Sequence, residues 1–407
     1  MAPRRRLRGP HRRRRVRAVA RPRRRRVLHE ALQLRRLHHR QRQLDALRSV
    51  AGGRGEAAVR GDVLPPPQRP LLRRQDHHRP HRYIHSSSRS HARRRRGVYV
   101  RADVRRCWCH ACTYVVCAAD ALGIPFLTPY LAGNKSGDYA HGANFAVGGA
   151  TALGRGYFRR KKLDARFTPY SLRWQMRWLK KVLRMVLSQQ GDLMASSLFL
   201  LGEIGGNDYN QALFQGRSVD EVKTYVPDVV AGISAALTEL IGLGARTVVV
   251  PGNFPTGCNP GYLAQFQTND TAQYDSMGCL RWPNGLSELH NRALKADLAE
   301  LRRRHPGVAL VYADYYAAAM DITADPRKHG FGGAPLVSCC GGGGPYNTNL
   351  TAHCGASTST TCRHPYEAVS WDGFHFTDHA YQVIADGVLR GAYAAPPVQL
   401  VKCGSRP

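Results

Sequence analysis

The stretch "SSLFLLGEIGG", residues 196–206, is a short apolar run closed by glycines, which predicts a buried strand. Two further strands are predicted in "ARTVVVPGNFP" (245–255) and "VALVYAD" (308–314). Helices are predicted between and after these strands, in residues 218–244, 285–307 and 377–395. Strands that alternate with helices of this length predict an α/β fold, in which helices cover both faces of a parallel sheet.

Local signals mark where two of these helices begin. Ser218 and Glu221 form a capping-box pattern at the start of residues 218–244, which are predicted to form one helix despite Pro227. Thr377 is the expected N-cap residue of the last helix.

One candidate site segment follows a predicted strand, where open parallel sheets place their sites, and another follows a further short apolar run. Asn207, in "GEIGGNDYN", carries an amide that can donate to an oxyanion, and Asp208 is expected to cap the following turn. Gly149, in "GANFAVGGATAL", can bring a backbone N–H close to a ligand. An Asx-turn at Asn207 and a tight turn at Gly149 are the structural alternatives.

The stretch "WDGFHF" places Asp372 three residues before His375. A carboxylate that accepts from Nδ1 of a histidine fixes the tautomer in which Nε2 can take a proton from a hydroxyl group. The two residues therefore predict an acid and base pair of a hydrolase, with a surface aspartate and a structural histidine as the alternative.

These three stretches, in this order, resemble the plant GDSL esterase/lipase family of SGNH hydrolases, as do "CCGGGGPYN" and "YEAVSWDGFHFTDHAY". The resemblance runs from about residue 119 to the end. It implies a three-layer, flavodoxin-like parallel sheet and hydrolysis of carboxylic esters through an acyl-enzyme, with no metal and no cofactor. It also implies that His375 is the general base, that Asp372 orients it, and that Gly149 and Asn207 hold the oxyanion.

The chain departs from the family where the nucleophile belongs. The resemblance implies a serine in an N-terminal Gly-Asp-Ser tripeptide, and none occurs in this sequence, so the nucleophile is unknown. In the family this serine ends the first strand, inside the sheet, and we therefore expect that strand to be missing. Unpaired interior backbone groups would cost about 1–3 kcal/mol each. We expect the chain to fold poorly there and to have no esterase activity.

The first 110 residues are unusual in composition. They contain 34 Arg, no Lys and 6 acidic residues, which is a net +28 of the +33 charge of the whole chain, and they have no Asn or Phe. GC-rich DNA translated in a wrong frame gives this pattern. We interpret residues 1–118 as a disordered or aberrantly translated Arg-rich region, and residues 119–407 as an incomplete hydrolase domain.

The cysteines fall into groups. Two or three disulfides are expected among six of them, in a pairing that the sequence leaves open: Cys258, Cys279, Cys339, Cys340, Cys354 and Cys362. Near the C-terminus Cys403 is left over. Four others lie in the Arg-rich region without the second half of a zinc site: Cys107, Cys109, Cys112 and Cys117.

Features of secreted proteins occur in the C-terminal part. Three asparagines stand in Asn-x-Ser/Thr sequons and are candidates for glycosylation: Asn134, Asn269 and Asn349. With the cysteines and the resemblance they predict an extracellular protein. The sequence nevertheless shows neither the apolar run of a signal peptide nor a segment long enough to span a bilayer.

Three functions remain open. The first is hydrolysis of a small-molecule or lipid ester; the second is binding of nucleic acid or another polyanion by the Arg-rich arm; the third is non-catalytic binding of esters. The first 98 residues have Tyr83 as their single aromatic residue, so specific nucleic-acid binding by stacking is not expected.

The basic residues 151–187 are expected to form a helix with a solvated face, with a lid or membrane-surface helix as the alternative. The sequence gives no oligomeric state.

Overall fold

The computed structural model describes residues 29–31, 114–186, 193–332 and 334–398. The chain divides into two units, of which the first comprises Met1–His39 and His110–Pro407. The second unit, Arg40–Cys109, lies outside the described residues, and so does most of the Arg-rich region predicted for residues 1–118. Four cysteines also lie outside them: Cys107, Cys109, Cys112 and Cys403.

A mixed sheet organises the first unit. Its strands have the order β2-β3-β1-β4-β5-β6-β9, and all neighbours are parallel except β6 and β9. A separate antiparallel pair consists of β7 and β8. The strands are β1 (His29–Ala31), β2 (Thr128–Pro129), β3 (Gly142–Asn144), β4 (Leu198–Leu200), β5 (Thr247–Pro251), β6 (Ala309–Ala313), β7 (Cys340–Gly341), β8 (Thr360–Thr361) and β9 (Ala394–Ala395).

The first strand is present, and the expectation that it is missing is wrong. β1 lies inside the sheet, where His29 is paired with Gly142 of β3 and with Leu198 of β4. Parallel strands pair through backbone N–H and C=O groups, which every non-proline residue supplies. A short segment without a strand-like side-chain pattern can therefore occupy an interior position and pair the backbone groups on both sides.

Helices cover both faces of the sheet. The α-helices are α1 (Tyr114–Ala121), α2 (Arg155–Arg160), α3 (Leu172–Val186), α4 (Gly206–Leu213), α5 (Val219–Lys223), α6 (Val226–Gly242), α7 (Pro260–Gln265), α8 (Arg281–Arg304), α9 (Tyr315–Ala324) and α10 (Asp378–Leu389). Short 3₁₀ helices comprise Tyr130–Ala132, Ser136–Tyr139, Thr256–Cys258, Thr271–Gln273, Pro326–His329 and Pro365–Glu367.

Alternate residues of the central strands enter two separate cores. In β5, Val248 and Val250 belong to the core formed with α3, α6 and α8, whereas Val249 belongs to the core formed with α1, α9 and α10. A strand whose successive side chains are buried on opposite faces is typical of a sheet between two helical layers. The predicted three-layer α/β fold is confirmed.

One predicted helix is interrupted. Ser218 caps α5 by accepting from the backbone N–H of Glu221 at 3.2 Å, but α5 ends at Lys223 and α6 begins at Val226. Pro227 lies in the first turn of α6, where its missing N–H leaves no intrahelical bond unmade. The prediction of a single helix over residues 218–244 is therefore wrong.

Among the described residues, Val219–Gly242 is the one segment long and apolar enough to cross a membrane. Half of its most apolar 18-residue stretch is buried inside the fold, and the core helix of a globular domain passes the same test. The side chains of Val229, Ile233 and Leu237 are completely or almost completely buried in the core.

The basic residues 151–187 include an amphipathic helix that packs on the sheet. In α3 the side chains of Met176, Leu179 and Leu183 are buried, while Arg173 and Arg177 are exposed. This agrees with the expected solvated helix face rather than with a detached lid.

The first and the last of the described helices pack together. α1 lies against α10, and Sγ of the buried Cys117 is 3.9 Å from the backbone oxygen of Asp378. Thr377 accepts from the backbone N–H of Ala380 at 3.3 Å, which confirms it as the N-cap residue of α10. Because α1 begins at Tyr114, it crosses the domain boundary predicted between residues 118 and 119, which stays a prediction.

Candidate active site

Asp372 and His375 are in direct contact. Oδ2 of Asp372 lies 2.6 Å from Nδ1 of His375, and the aspartate side chain is 5% exposed, against 16% for the histidine. Oδ1 of Asp372 accepts from the backbone N–H groups of Phe374 (3.0 Å) and His375 (2.9 Å). Both carboxylate oxygens are thus held by the turn that carries the histidine, so the carboxylate is fixed before any substrate binds.

The turn that carries this pair is attached to its surroundings by backbone hydrogen bonds. Gly373 has φ +91°, and its carbonyl oxygen accepts from the N–H of Gly261 in α7 at 2.8 Å. A Cβ atom on Gly373 would lie 2.8 Å from the side chain of Thr348. Only glycine combines this backbone conformation with so close a neighbour.

Two disulfide-bonded cysteines bind the backbone just before the same turn. The N–H of Cys339 donates to the carbonyl of Ser370 at 2.9 Å, and the N–H of Cys340 donates to that of Trp371 at 2.7 Å. The bridges are Cys339–Cys362 and Cys340–Cys354, and a third joins Cys258 to Cys279. The expectation of two or three disulfides among these six cysteines is confirmed, and the structure adds the pairing.

Asn207 and the segment after Gly149 are joined directly. Asn207 lies in the first turn of α4, and its Nδ2 donates to the carbonyl of Ala150 at 3.1 Å. Gly149 has φ +77°, and a Cβ atom there would lie 2.6 Å from the Cβ of Phe167. The structure therefore brings together the two sequence elements that were predicted to hold an oxyanion.

Asp208 does not cap the turn after it, contrary to expectation. Its side chain is completely buried and accepts from the backbone N–H groups of Ala152 (2.7 Å) and Leu153 (2.9 Å). Burial raises the pKa of this carboxyl group to about 7, against the opposing effect of these hydrogen bonds. Asp208 fastens the segment after Gly149 to α4.

Helix α7 connects the two halves of the site. Oδ1 of Asn207 accepts from Nδ2 of Asn210 at 3.3 Å, and Oδ1 of Asn210 accepts from the hydroxyl group of Tyr262 in α7. The preceding residue of α7, Gly261, holds the turn of His375 through the hydrogen bond described above. A chain of contacts thus runs from Asn207 to His375.

A buried histidine, His290, contacts Tyr209 of α4, and no local sequence pattern predicts its role. Nδ1 of His290 is 2.7 Å from the hydroxyl group of Tyr209, and burial lowers the pKa of the imidazole to about 4. A Cβ atom on Gly205, at φ +112°, would lie 2.9 Å from this ring. His290 is therefore neutral at physiological pH and supports the turn that leads to Asn207.

A small cleft opens beside His375. Apolar groups form much of its wall, including Pro255, Pro260, Val369 and Phe376. Among the described residues, no three His, Cys, Asp or Glu side chains lie close enough together to hold a metal ion. The expectation of chemistry without metal or cofactor stays a prediction.

The three sequon asparagines lie on the surface. Asn134, Asn269 and Asn349 are all exposed, and Oδ1 of Asn349 accepts from the backbone N–H of Thr351 at 2.9 Å. The structure therefore places each of them where a glycan can be attached without unfolding the chain.

A mainly parallel sheet between two helical layers, with an acid and histidine pair in the turn before the last described helix, is an architecture suited to a hydrolase of the three-layer, flavodoxin-like class. The chain belongs to the family described as GDSL-like Lipase/Acylhydrolase, whose family model matches residues 96–388. Two Arabidopsis thaliana proteins, each named a GDSL esterase/lipase, are 44% and 43% identical to it over 283 residues, 69% of this chain and 72% of theirs. The sinapine esterase of Brassica napus is 40% identical over 283 residues, 68% of this chain and 72% of its own length.

These relationships identify the chain as a carboxylic-ester hydrolase of the GDSL type. The matched region begins at residue 96, before the expected start of the resemblance near residue 119. Neither the expected inactivity nor the alternative of polyanion binding gains support from them.

Proposed function

We propose that this enzyme hydrolyses small-molecule carboxylic esters with His375 as general base and acid, Asp372 as its orienting carboxylate, and Gly149 and Asn207 as oxyanion donors. The contact of 2.6 Å between Oδ2 of Asp372 and Nδ1 of His375 is the observation that carries the proposal. It is the geometry that leaves Nε2 to exchange a proton with a nucleophile and a leaving alcohol.

Asp372 does two things in this arrangement. Its negative charge stabilises the imidazolium that forms when His375 accepts a proton, and its hydrogen bond selects the tautomer with the proton on Nδ1. The two N–H groups that donate to Oδ1 keep the carboxylate in place, since they belong to the same turn. The pair can therefore act without rearrangement of the loop.

A hydrogen bond to the backbone fixes the side chain of Asn207, one of the two proposed oxyanion donors. The amide of Asn207 has two N–H bonds, one of which is used by the carbonyl of Ala150. The second N–H and the backbone N–H of Gly149 are the proposed donors to the negative oxygen of the tetrahedral intermediate. Fixed donors of this kind need no reorganisation when the charge develops.

We expect Asn207→Ala to lower kcat for hydrolysis of nitrophenyl butyrate by about 100–1,000-fold, because one oxyanion donor is lost. KM should change little, since the ester carbonyl carries no full charge before reaction. Gln267→Ala removes an exposed amide two residues after the end of α7 and serves as the matched control. Equal kcat values for the wild type and Asn207→Ala would contradict the assigned role.

We also propose that the protein is extracellular. The support is the combination of three disulfides with three exposed sequons. Disulfides form and persist in oxidising compartments, and sequons are glycosylated in the secretory pathway.

Glycosylation gives the test of this location. Protein isolated from its source should lose mass on treatment with an N-glycosidase, and part of that loss should disappear with each of Asn134→Gln, Asn269→Gln and Asn349→Gln. Asn253→Gln, at a buried asparagine outside any sequon, controls for the substitution itself. An unchanged mass after glycosidase treatment would argue against secretion.

A further inference from the structure

Helix α3 carries an unbalanced positive charge on its exposed side. Its sequence, "LRWQMRWLKKVLRMV" (172–186), contains five cations and no acidic residue, whereas the chain from residue 111 onward has 27 Lys and Arg against 22 acids, a net of +5. Four cations of the helix are exposed, and we call them the cationic row: Arg173, Arg177, Lys181 and Arg184. With 3.6 residues per turn, the row lies within an arc of about 80° and extends over about 16 Å along the helix axis.

The cationic row is solvated, but it is not neutralised as another solvated helix face of this fold is. In α8 exposed cations are matched by acids of the same helix, as in the pairs Arg292–Glu288 and Arg304–Glu300. In α3 the one cation that pairs with a described carboxylate is Lys180, which contacts a glutamate of α6 and lies outside the row. Like charges four residues apart on a helix repel one another, so an anion that bridges them stabilises the bound state.

An exposed indole lies beside the cationic row. Trp174 is 42% exposed, and the guanidinium carbon of Arg177 lies 4.9 Å from the centroid of its ring. The ring of Tyr170 meets the indole edge-on, with 6.2 Å between the centroids. The flat face of an aromatic ring packs well on the apolar face of a sugar ring. The exposed side of α3 therefore combines cations that suit carboxylates with an aromatic surface that suits sugars.

We propose that the exposed face of α3 binds a linear polysaccharide that carries carboxylate groups. A row of cations about 16 Å long is complementary to an extended polyanion rather than to a single small anion. Nucleic acid is the other common extended polyanion, and the proposed extracellular location favours the polysaccharide. The binding face is separate from the residues proposed for ester hydrolysis.

A flat anionic membrane fits this face less well than a single polymer chain does. The 3₁₀ helix Tyr130–Ala132 lies beside α3, where the ring of Tyr130 stacks on that of Trp178 with 4.9 Å between the centroids. The exposed sequon residue Asn134 follows this 3₁₀ helix by two residues. A glycan attached there would hold a bilayer away from α3, but it would leave room for an extended chain along the helix.

Lysine footprinting of the full chain tests the proposal, because residues 1–110 contain 34 Arg but no Lys and their side chains are not acetylated. Polymer that binds only to the Arg-rich region is therefore not mistaken for polymer on α3. We expect polygalacturonate to slow the acetylation of Lys181 at least about fivefold, measured by peptide mass spectrometry, because a bound carboxylate blocks the amine. Three lysines that pair with acids in other elements should change by less than about twofold: Lys223, Lys295 and Lys328.

Substitutions distinguish the cationic row from general basicity. A triple variant that keeps Lys181 as the reporter should need at least about tenfold more polymer for half protection, since three charge contacts are lost. It combines Arg173→Gln, Arg177→Gln and Arg184→Gln. A matched variant of α8 should shift the midpoint by less than about twofold. It combines Arg292→Gln, Arg303→Gln and Arg304→Gln, and because all six side chains are exposed, both variants should keep the wild-type Tm.

Fully methyl-esterified polygalacturonate keeps the sugar rings but has no charge, and it should leave Lys181 unprotected. Equal protection by the esterified and the charged polymer would show that the face does not recognise carboxylates, and would overturn the proposal. So would equal slowing at all four lysines, or an unchanged midpoint in the α3 variant. Protection of Lys181 by phosphatidylglycerol vesicles, with none by polygalacturonate, would assign the face to a membrane instead.

Discussion

We expect the enzyme to lose at least about 1,000-fold in kcat/KM for nitrophenyl butyrate when His375 is replaced by alanine. Nδ1 of the imidazole lies 2.6 Å from Oδ2 of Asp372, and the substitution removes the ring nitrogen that is proposed to accept the proton. Donation from the N–H of Trp371 to the carbonyl of His375, at 2.7 Å, involves the backbone alone. The turn should therefore persist in the variant.

Two comparisons show whether this loss is specific. His364→Ala removes an exposed imidazole from the same region of the chain and should leave kcat/KM within about twofold, as expected of a surface change. Asp372→Asn should lower kcat strongly with little effect on KM, because the amide no longer selects the required tautomer. Hydrolysis by His375→Ala at the wild-type rate, with an unchanged Tm, would exclude His375 as the base.

Much of the fold could be predicted because its signals are local. The buried runs that became β4, β5 and β6 are closed by glycine, proline or aspartate, and each is followed by a helix with its own cap or turn. The N-cap at Thr377 needs nothing more than a hydroxyl group three residues before a free N–H. Patterns of this kind are complete within about ten residues of sequence.

Other parts of the fold depend on partners that are distant in sequence. β1 is held by the backbone groups of β3 and β4, which lie more than 100 residues away, and its letters "HEA" contain no strand pattern. A sequence window cannot contain these partners. The break between α5 and α6 has a local cause instead, because it falls just before Pro227, which cannot donate to the preceding turn of a continuous helix.

The contacts of the site also fall into those that local spacing predicts and those whose partners are distant in sequence. The contact between Asp372 and His375 spans three residues, so spacing alone was enough to predict it. The partners of Asp208 lie 55 and 56 residues away, and the sequence next to it suggested only a turn cap. A buried carboxylate that binds two backbone N–H groups is visible only once the segment after Gly149 is packed on α4.

Asp208 makes the stability of this segment depend on pH. Its pKa is about 7 in the folded protein and 3.8 as the ordinary value, so the native state holds this proton more tightly than the unfolded state. Asp208 therefore lowers the free energy of unfolding as the pH rises from about 4 to about 7, and its contribution is constant above that range. The change over this interval is at most about 4 kcal/mol.

We expect Asp208→Asn to be less stable than the wild type by about 1–3 kcal/mol at pH 5, because an amide N–H would face the N–H of Ala152 or Leu153. The difference should shrink as the pH is raised to 8, since the asparagine variant lacks the titration that weakens the wild type. Urea unfolding at several pH values, with the disulfides intact, measures both effects. kcat should fall as well, because the segment of Gly149 is no longer fixed to α4.

An exposed carboxylate provides the control for the Asp208→Asn variant. Asp220 is 85% exposed and pairs with Lys223 at 2.9 Å, so Asp220→Asn should change the free energy of unfolding by less than about 0.5 kcal/mol at every pH. Parallel pH profiles for the wild type and Asp208→Asn would show that Asp208 does not titrate between pH 4 and 7 in the folded protein. Equal stability at pH 5 would show that its two hydrogen bonds do not hold the segment, and the oxyanion donors would then depend on Asn207 alone for their placement.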